Sequence, residues 1–382
     1  MNRVRERSLR TARDDGAMLT SSESSLKASP RVCDAVSDSA ALRLFAESTD
    51  VAAIDAFMEC LCVGEARDGA RGTMLGRIAW EHIATGGKRL RARLALFGVQ
   101  ALGGRADDGV AWGAACELLH NASLIHDDIQ DGDAYRRGTQ ALWARYGVAQ
   151  AINAGDLCIA LGYAALEAVP VSEALRFRLT KIVTRSSRMI VEGQAAELGL
   201  LAAEHVPTWS DYASCVEGKT SAFFSLPIEG AALIAGRSVE DAAALADTCR
   251  SLGVLFQIQD DILDLYGDNG RDLPGSDLAQ SGKASAFVVE HLRLHPHDRD
   301  WLYGILTASR EETPRASIDD VIARFADGGA LEAVWRRIDE IRDALEASTI
   351  LRAEPAIREL LRHFVGVALR PVEHTRASKV AG

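Results

Sequence analysis

The chain of 382 residues has little of what marks several specialised classes of protein. With only 9 prolines and little of the Val/Ile/Thr alternation that strands need, but many good helix formers, it is expected to be mostly helical. No apolar run approaches the roughly 20 residues needed to cross a bilayer, and the N-terminus lacks the short apolar core of a signal peptide. Basic charge is not in excess either. The net charge of -11 argues against a nucleic-acid footprint, because phosphate-backbone binding needs a dominant basic surface. An anionic ligand would have to be bound locally. The 7 cysteines are scattered, odd in number and without paired CxxC spacing, which argues against a zinc site or a disulfide framework and fits a reducing, cytoplasmic setting.

What is present is 48% hydrophobic and 25% charged residues, enough for a large buried core. Residues 1–40 are expected to form a disordered extension: arginines at 3, 5, 7, 10 and 13 are followed by a stretch rich in Ser, Thr, Asp and Gly with no apolar period. From 41 to 365 the sequence reads as successive helical segments, broken near 64–72, 103–109, 204–208, 267–282 and 326–330. No break is long enough for an interdomain linker, so 41–365 is read as one domain and 366–382 as a polar tail.

One feature occurs twice. An apolar helical run ends in DDxxD at "LIHDDIQD" and again at "FQIQDDILD". With 3.6 residues per turn, His120, Asp127 and Asp131 share a stripe with Asp128 to one side, and Gln257, Asp260, Asp261 and Asp264 share a face. Carboxylates crowded in this way raise one another's pKa unless a cation compensates, and Mg²⁺ prefers a couple of carboxylates completed by water and phosphate oxygens. A single such motif among 54 acidic residues would most simply be a solvated turn. Two of them, both near helix C-termini where the dipole disfavours anions, point to a shared ligand. Neither has the ladder of an EF-hand.

Basic residues surround the pair. "TGGKRLRARLAL" places a glycine pair before Lys88, Arg89 and Arg91 at a helix start, a cradle suited to phosphate without metal. Arg136 and Arg137, then Lys219 with Thr220, then Lys283 follow in order. No Ser-His-Asp or Cys-His nucleophile is evident, and His126 is read as structural because it faces away from Asp131.

The order GGKRxR, ELLH(x6)DDxxD(x4)RRG, GKT, FQxxDDxLD resembles the trans-isoprenyl (polyprenyl) diphosphate synthases, by motif over roughly residues 80–285. The resemblance implies an all-α single domain, a large helical bundle around a deep central cavity, usually a homodimer, with Mg²⁺ as cofactor and isopentenyl diphosphate and an allylic diphosphate as substrates. It implies that Asp127, Asp128, Asp131, Asp260, Asp261 and Asp264 hold Mg²⁺. Arg136, Lys219 and Lys283 would bind the allylic diphosphate with help from Thr220 and Gln257. Lys88, Arg91, His120 and Arg137 would form the metal-free site for isopentenyl diphosphate. Gln194 and Glu197 would support these groups from behind, and the "INAGD" segment would pack near them. Two positions depart from the family pattern: Ala92 stands where a proline is common, and Arg271 where a lysine is usual.

Chain length in this family follows the bulk just before the first motif. Ala122 and Ser123 are small, so the resemblance implies a C20 product, geranylgeranyl diphosphate, or a longer one, with Cys116 and Leu119 as candidates for a floor. Its rivals are a farnesyl or longer-chain synthase, a class I terpene cyclase, and a non-catalytic subunit of a heteromeric synthase. The intact GGKRLR and His120 argue against the cyclase, and the two complete aspartate motifs against the subunit.

Overall fold

The computed structural model describes residues 49–64, 72–200, 206–267, 275, 278, 284–308 and 313–377. The expected extension over 1–40, Lys283 and Arg271 lie outside these residues. Helices make up nearly all of the described regular structure, as the composition predicts. In order they are α1 (Thr49–Val63), α2 (Met74–Ala84), α3 (Leu90–Ala101), α4 (Ala106–Gln130), α5 (Leu142–Tyr146), α6 (Val148–Glu167), α7 (Glu173–Gly199), α8 (Trp209–Val216), α9 (Ala222–Ile234) and α10 (Val239–Tyr266). Then come α11 (Ala286–Leu294), α12 (Arg299–Leu306), α13 (Arg315–Asp327), α14 (Ala330–Ala347), α15 (Thr349–Ala353), α16 (Pro355–Leu369) and α17 (Glu373–Ala377). The described strands are a two-residue pair, β1 (Tyr135–Arg136) and β2 (Thr139–Gln140).

The bundle is organised around α9. Every residue from Ala222 to Leu233 is buried, the signature of a helix apolar on all sides. It packs against α3, α4, α7 and α10. Pro227 stands inside it, and the Pro227 carbonyl accepts from the Trp112 indole at 2.9 Å, fastening this helix to α4. Gly230 lets that indole lie against the helix, since a Cβ there would stand 2.1 Å from the Trp112 ring. Around this axis α4 runs buried from Ala111 to Ala122 and carries the first aspartates at its end.

Several helix starts follow local chemistry: Ser172, Ser238 and Ser285 accept from amides three residues on, and Thr208 with Asp211 forms a reciprocal capping box. At the other end of the chain the core extends past residue 365. α16 continues to Leu369, and Ala368, Leu369 and Val372 are buried, so 366–377 is packed helix and turn where the polarity of the sequence suggested a tail.

Candidate active site

The first aspartate cluster occupies the last turn of α4. Asp127 and Asp131 are half-buried and Asp128 is almost fully buried. Asp131 closes the helix, its amide bonding the Asp127 carbonyl at 2.8 Å. The chain then reverses through β1 and β2, with Arg137 and Gly138 both at positive φ (53° and 74°), the pattern of a type I′ hairpin turn. This reversal returns Arg136 to Asp128, Nε to Oδ1 at 2.5 Å. Burial pushes Asp128 up to about 6, opposed by the charge and hydrogen bond of Arg136. Its second oxygen is buried without a hydrogen-bond partner.

Lys219 ties this cluster to α7. Its Nζ donates to Glu197 at 2.7 Å and lies 3.8 Å from Asp127. Burial would lower its pKa, but Asp127, Glu197 and Asp131 outweigh that and hold it above the usual lysine value. Lys219 and Thr220 sit in a π-helical turn, Glu217–Ser221, between α8 and α9. Turns of this kind concentrate at functional sites, because the extra residue re-aims side chains. Here glycines on both flanking helices make room: a Cβ on Gly193 of α7 would lie 2.2 Å from the Lys219 amide, and one on Gly253 of α10 would lie 2.3 Å from the Ser221 Cα.

The second cluster lies in the last two turns of α10, and its stripe divides by depth. Asp260 is exposed, whereas Asp261 and Asp264 are buried. Asp264 sits where the chain folds back, its carbonyl accepting from the Gly275 amide at 2.6 Å. Asp261 receives the Tyr212 hydroxyl at 2.9 Å and the Ala286 amide at 2.8 Å on one oxygen, and the Gln257 amide at 3.2 Å on the other. Thr220 donates to Gln257 at 3.2 Å, so the two predicted polar helpers meet. Burial first, then Asp261 and the more distant charges of Glu197 and Asp260, raise the Tyr212 phenol well above its ordinary value.

In the basic segment the structure departs from the expectation at one residue. Arg89, expected to point at phosphate with its neighbours, is turned inward with φ 49°, paired to Asp55 at 2.9 Å and Glu117 at 3.6 Å, and donates to the Ile83 carbonyl at 2.7 Å. It pins the Gly86–Gly87 loop from beneath. Lys88 is exposed and Arg91 half-buried. The Arg91 guanidinium lies 4.9 Å from the Phe224 ring centre and 5.9 Å from that of Phe223. Arg137 donates to the Gly86 carbonyl, and Gly87 permits the approach, since a Cβ would stand 2.8 Å from the guanidinium. Ala92 has a use where proline would fail: its amide donates to Glu117 at 3.3 Å.

His120 packs edge-on against Phe223, ring centres 5.2 Å apart. Burial, reinforced by Arg91, Arg137, Arg136 and His82, holds its pKa well below the ordinary value, so the imidazole is neutral. His82, which no motif singles out, is buried as well; burial and the charges of Arg136, Arg137 and Arg89 push it down to about 3. His82 Nε2, His120 Nδ1 and Arg91 Nε are buried without partners, an arrangement ready for an anion.

Gln194 bonds Gln130 at 2.6 Å beside the first cluster. His126 faces α6, 3.6 Å from Asp156, with Gly155 clearing space for its ring, in keeping with a structural role. Ala122 is buried in α4, and the Ser123 hydroxyl is taken up by the His120 carbonyl at 2.8 Å. Cys116 is buried as well, and Leu119 packs over Gly162 of α6.

Among the described residues, no three His, Cys, Asp or Glu side chains converge closely enough to cage a metal by themselves. The donors are carboxylate oxygens, which suit a hard divalent ion, and the open arrangement suits one whose coordination is completed by water and phosphate rather than by protein. No helix among the described residues is long and apolar enough to cross a membrane.

An all-helical bundle that sets acidic clusters beside a basic group has the side chains to hold anions both through a cation and directly. The polyprenyl synthetase family model matches residues 73–324. Over 288 residues the chain is 36% identical to the short chain isoprenyl diphosphate synthase of Methanothermobacter thermautotrophicus, covering 74% of this chain and 86% of that protein. It is 34% identical over 256 residues to the geranylgeranyl diphosphate synthase of Sulfolobus acidocaldarius, covering 64% and 76%. The crystal structure of a polyprenyl synthase from Caulobacter crescentus CB15, complexed with calcium and isoprenyl diphosphate, superposes with a TM-score of 0.71 at 26% identity, over 89% of this chain and 99% of that one. The chain belongs to the polyprenyl synthetase family: it is an isoprenyl diphosphate synthase, a trans-prenyltransferase with the all-α fold of that family.

Proposed function

We propose that the enzyme uses Mg²⁺ to condense isopentenyl diphosphate head-to-tail with an allylic diphosphate, and that its principal product is geranylgeranyl diphosphate. The observation that carries this reading is the π-helical turn in which Lys219 pairs with Glu197 and with Asp127 of the first cluster while the adjacent Thr220 donates to Gln257, which donates to Asp261 of the second, so that one turn reaches both acid motifs. Asp127, Asp131 and Asp260 are the carboxylates nearest solvent and would hold the metal, with Asp128, Asp261 and Asp264 behind them. Bound there, Mg²⁺ supplies charge neutralisation to the departing allylic diphosphate. Arg136 and Lys219, and Lys283 by family resemblance, add positive charge to the same leaving group, while Thr220 and Gln257 orient it.

Lys88, Arg91 and Arg137 bind the second diphosphate without a metal, so that it is retained. Neutral His120 contributes a hydrogen bond there and no charge. The isopentenyl double bond attacks the allylic carbon as the carbon–oxygen bond breaks, and the proton lost afterwards goes to the released diphosphate. Small Ala122 leaves room for the growing tail, and relatives bearing the geranylgeranyl name support the C20 assignment.

A second copy is proposed to pack on α6 and α7, where Val148, Ile152, Phe177, Val191 and Leu198 are exposed. The test combines purified enzyme, isopentenyl diphosphate and dimethylallyl, geranyl or farnesyl diphosphate, with Mg²⁺ or EDTA, and sizes the dephosphorylated products. A Mg²⁺-dependent C20 alcohol is expected, shortening to C15 in Ala122→Phe. A C15 or longer-than-C25 wild-type product would overturn the chain-length assignment, and a cyclic hydrocarbon from one allylic substrate alone would overturn the two-site reading. Light scattering of the same preparation is expected at twice the chain mass.

A further inference from the structure

We propose that Tyr212 is a positioning residue: by fixing Asp261 as a strut, it sets how Asp260 is presented to the metal-bound diphosphate. The inference rests on the reading of the second cluster given above. Tyr212 is 3% exposed and donates to Asp261 across 49 residues of sequence, from α8 to α10. The same carboxylate oxygen accepts the Ala286 amide at the start of α11, and the other accepts from Gln257. Three helices are therefore joined through one side chain, and its neighbour Asp260 is the exposed member of the cluster.

The Tyr212 ring is seated independently of the hydroxyl against Trp209, centres 5.2 Å apart, and Trp209 lies under Arg337, itself paired to buried Glu290 at 2.9 Å. Removing the hydroxyl alone should leave that packing in place and release one hydrogen bond to the carboxylate. The strut then loosens, and Asp260 is held less firmly.

The experiment measures the Mg²⁺ concentration that gives half of the thermal stabilisation produced by inorganic diphosphate, for wild type, Tyr212→Phe and Asp261→Asn, together with both substrate KM values. Tyr212→Phe is expected to raise the Mg²⁺ midpoint and the allylic KM about 5- to 10-fold, the scale of one hydrogen bond to a charged group. The isopentenyl KM should stay within about two-fold, and the melting temperature without metal should fall by no more than about 2 °C, the scale of one lost hydrogen bond. A residue with only a packing role would leave the Mg²⁺ midpoint and the allylic KM where they were, whatever it did to the melting temperature. If Asp261→Asn moves the midpoint and Tyr212→Phe does not, the strut is overturned. If neither moves it, the assignment of the second cluster to the metal-bound diphosphate fails as well.

Discussion

The two DDxxD clusters are near copies in sequence, yet they secure their inward-facing aspartates by different means. Asp128 of the first is held by a cation, Arg136, at 2.5 Å. Asp261 of the second receives the Tyr212 hydroxyl, the Ala286 amide and the Gln257 side-chain amide. The difference follows from where each cluster lies. The first ends its helix, so the chain can turn back at once and bring an arginine from eight residues downstream. The second is followed by two more helical residues, Leu265 and Tyr266, before α10 ends, and its inner aspartate meets the side of α8 and the start of α11. The hairpin thus ties Asp128 to the chain that directly follows it, whereas Asp261 is tied to two helices, α8 and α11, distant from it in sequence.

The largest effect expected from this comparison is on chemistry. Asp127 lies 3.8 Å from Lys219 at the outer edge of the first cluster, where the metal-bound leaving group would sit. Asp127→Asn should lower kcat by about 10²- to 10³-fold, comparable to losing one preorganised group that stabilises transition-state charge. The melting temperature without metal should stay near wild type. Steady-state kinetics beside a thermal melt decides it; a kcat loss under ten-fold would remove Asp127 from the leaving-group site.

Next in size is the cost of removing each inner partner. Arg136→Met leaves Asp128 buried with no counter-charge, and breaking a buried pair from one side costs about 3 kcal/mol or more. Tyr212→Phe removes one neutral donor among several, worth about 1 kcal/mol. Urea denaturation of both variants at pH 8 without metal should therefore rank Arg136→Met well below Tyr212→Phe. Equal losses would mean that Arg136 contributes to the fold no more than an ordinary hydrogen bond, and the contrast between the clusters would collapse.

These contrasts also show how far sequence reasoning reaches. The helical class, the pairing of two acid clusters and the basic segments around them were legible, because period and spacing place charged residues on faces. Depth was not. Spacing put Asp260, Asp261 and Asp264 on one face, but which of them lies under neighbouring chain depends on residues far away, such as Tyr212 and Ala286. Arg89 read as a phosphate ligand because it stands between Lys88 and Arg91; its left-handed backbone, which turns it inward to Asp55 and Glu117, has no sequence marker. His82 was missed for the same reason, since a histidine in the last turn of α2 is ordinary until Arg136 and Arg137 arrive beside it. The C-terminal boundary was placed early because scattered charges after 365 concealed Ala368, Leu369 and Val372 on one buried face.

The smallest expected effect tests whether closeness in sequence to the first cluster confers a role. His126 immediately precedes Asp127, yet on a helix that step rotates the side chain by about 100°, toward α6 rather than the acids. There it lies 3.6 Å from Asp156, which is 63% exposed, and 3.5 Å from the Ile152 carbonyl, contacts of a partly solvated surface pair. Such pairs contribute at most about 1 kcal/mol. His126→Ala should accordingly change kcat and both KM values by less than about two-fold and stability by about 0.5 kcal/mol, a loss of side-chain packing over Gly155. A ten-fold fall in kcat with an unchanged melt would show that the imidazole reaches the site, and the face assigned to it by helical period would be wrong.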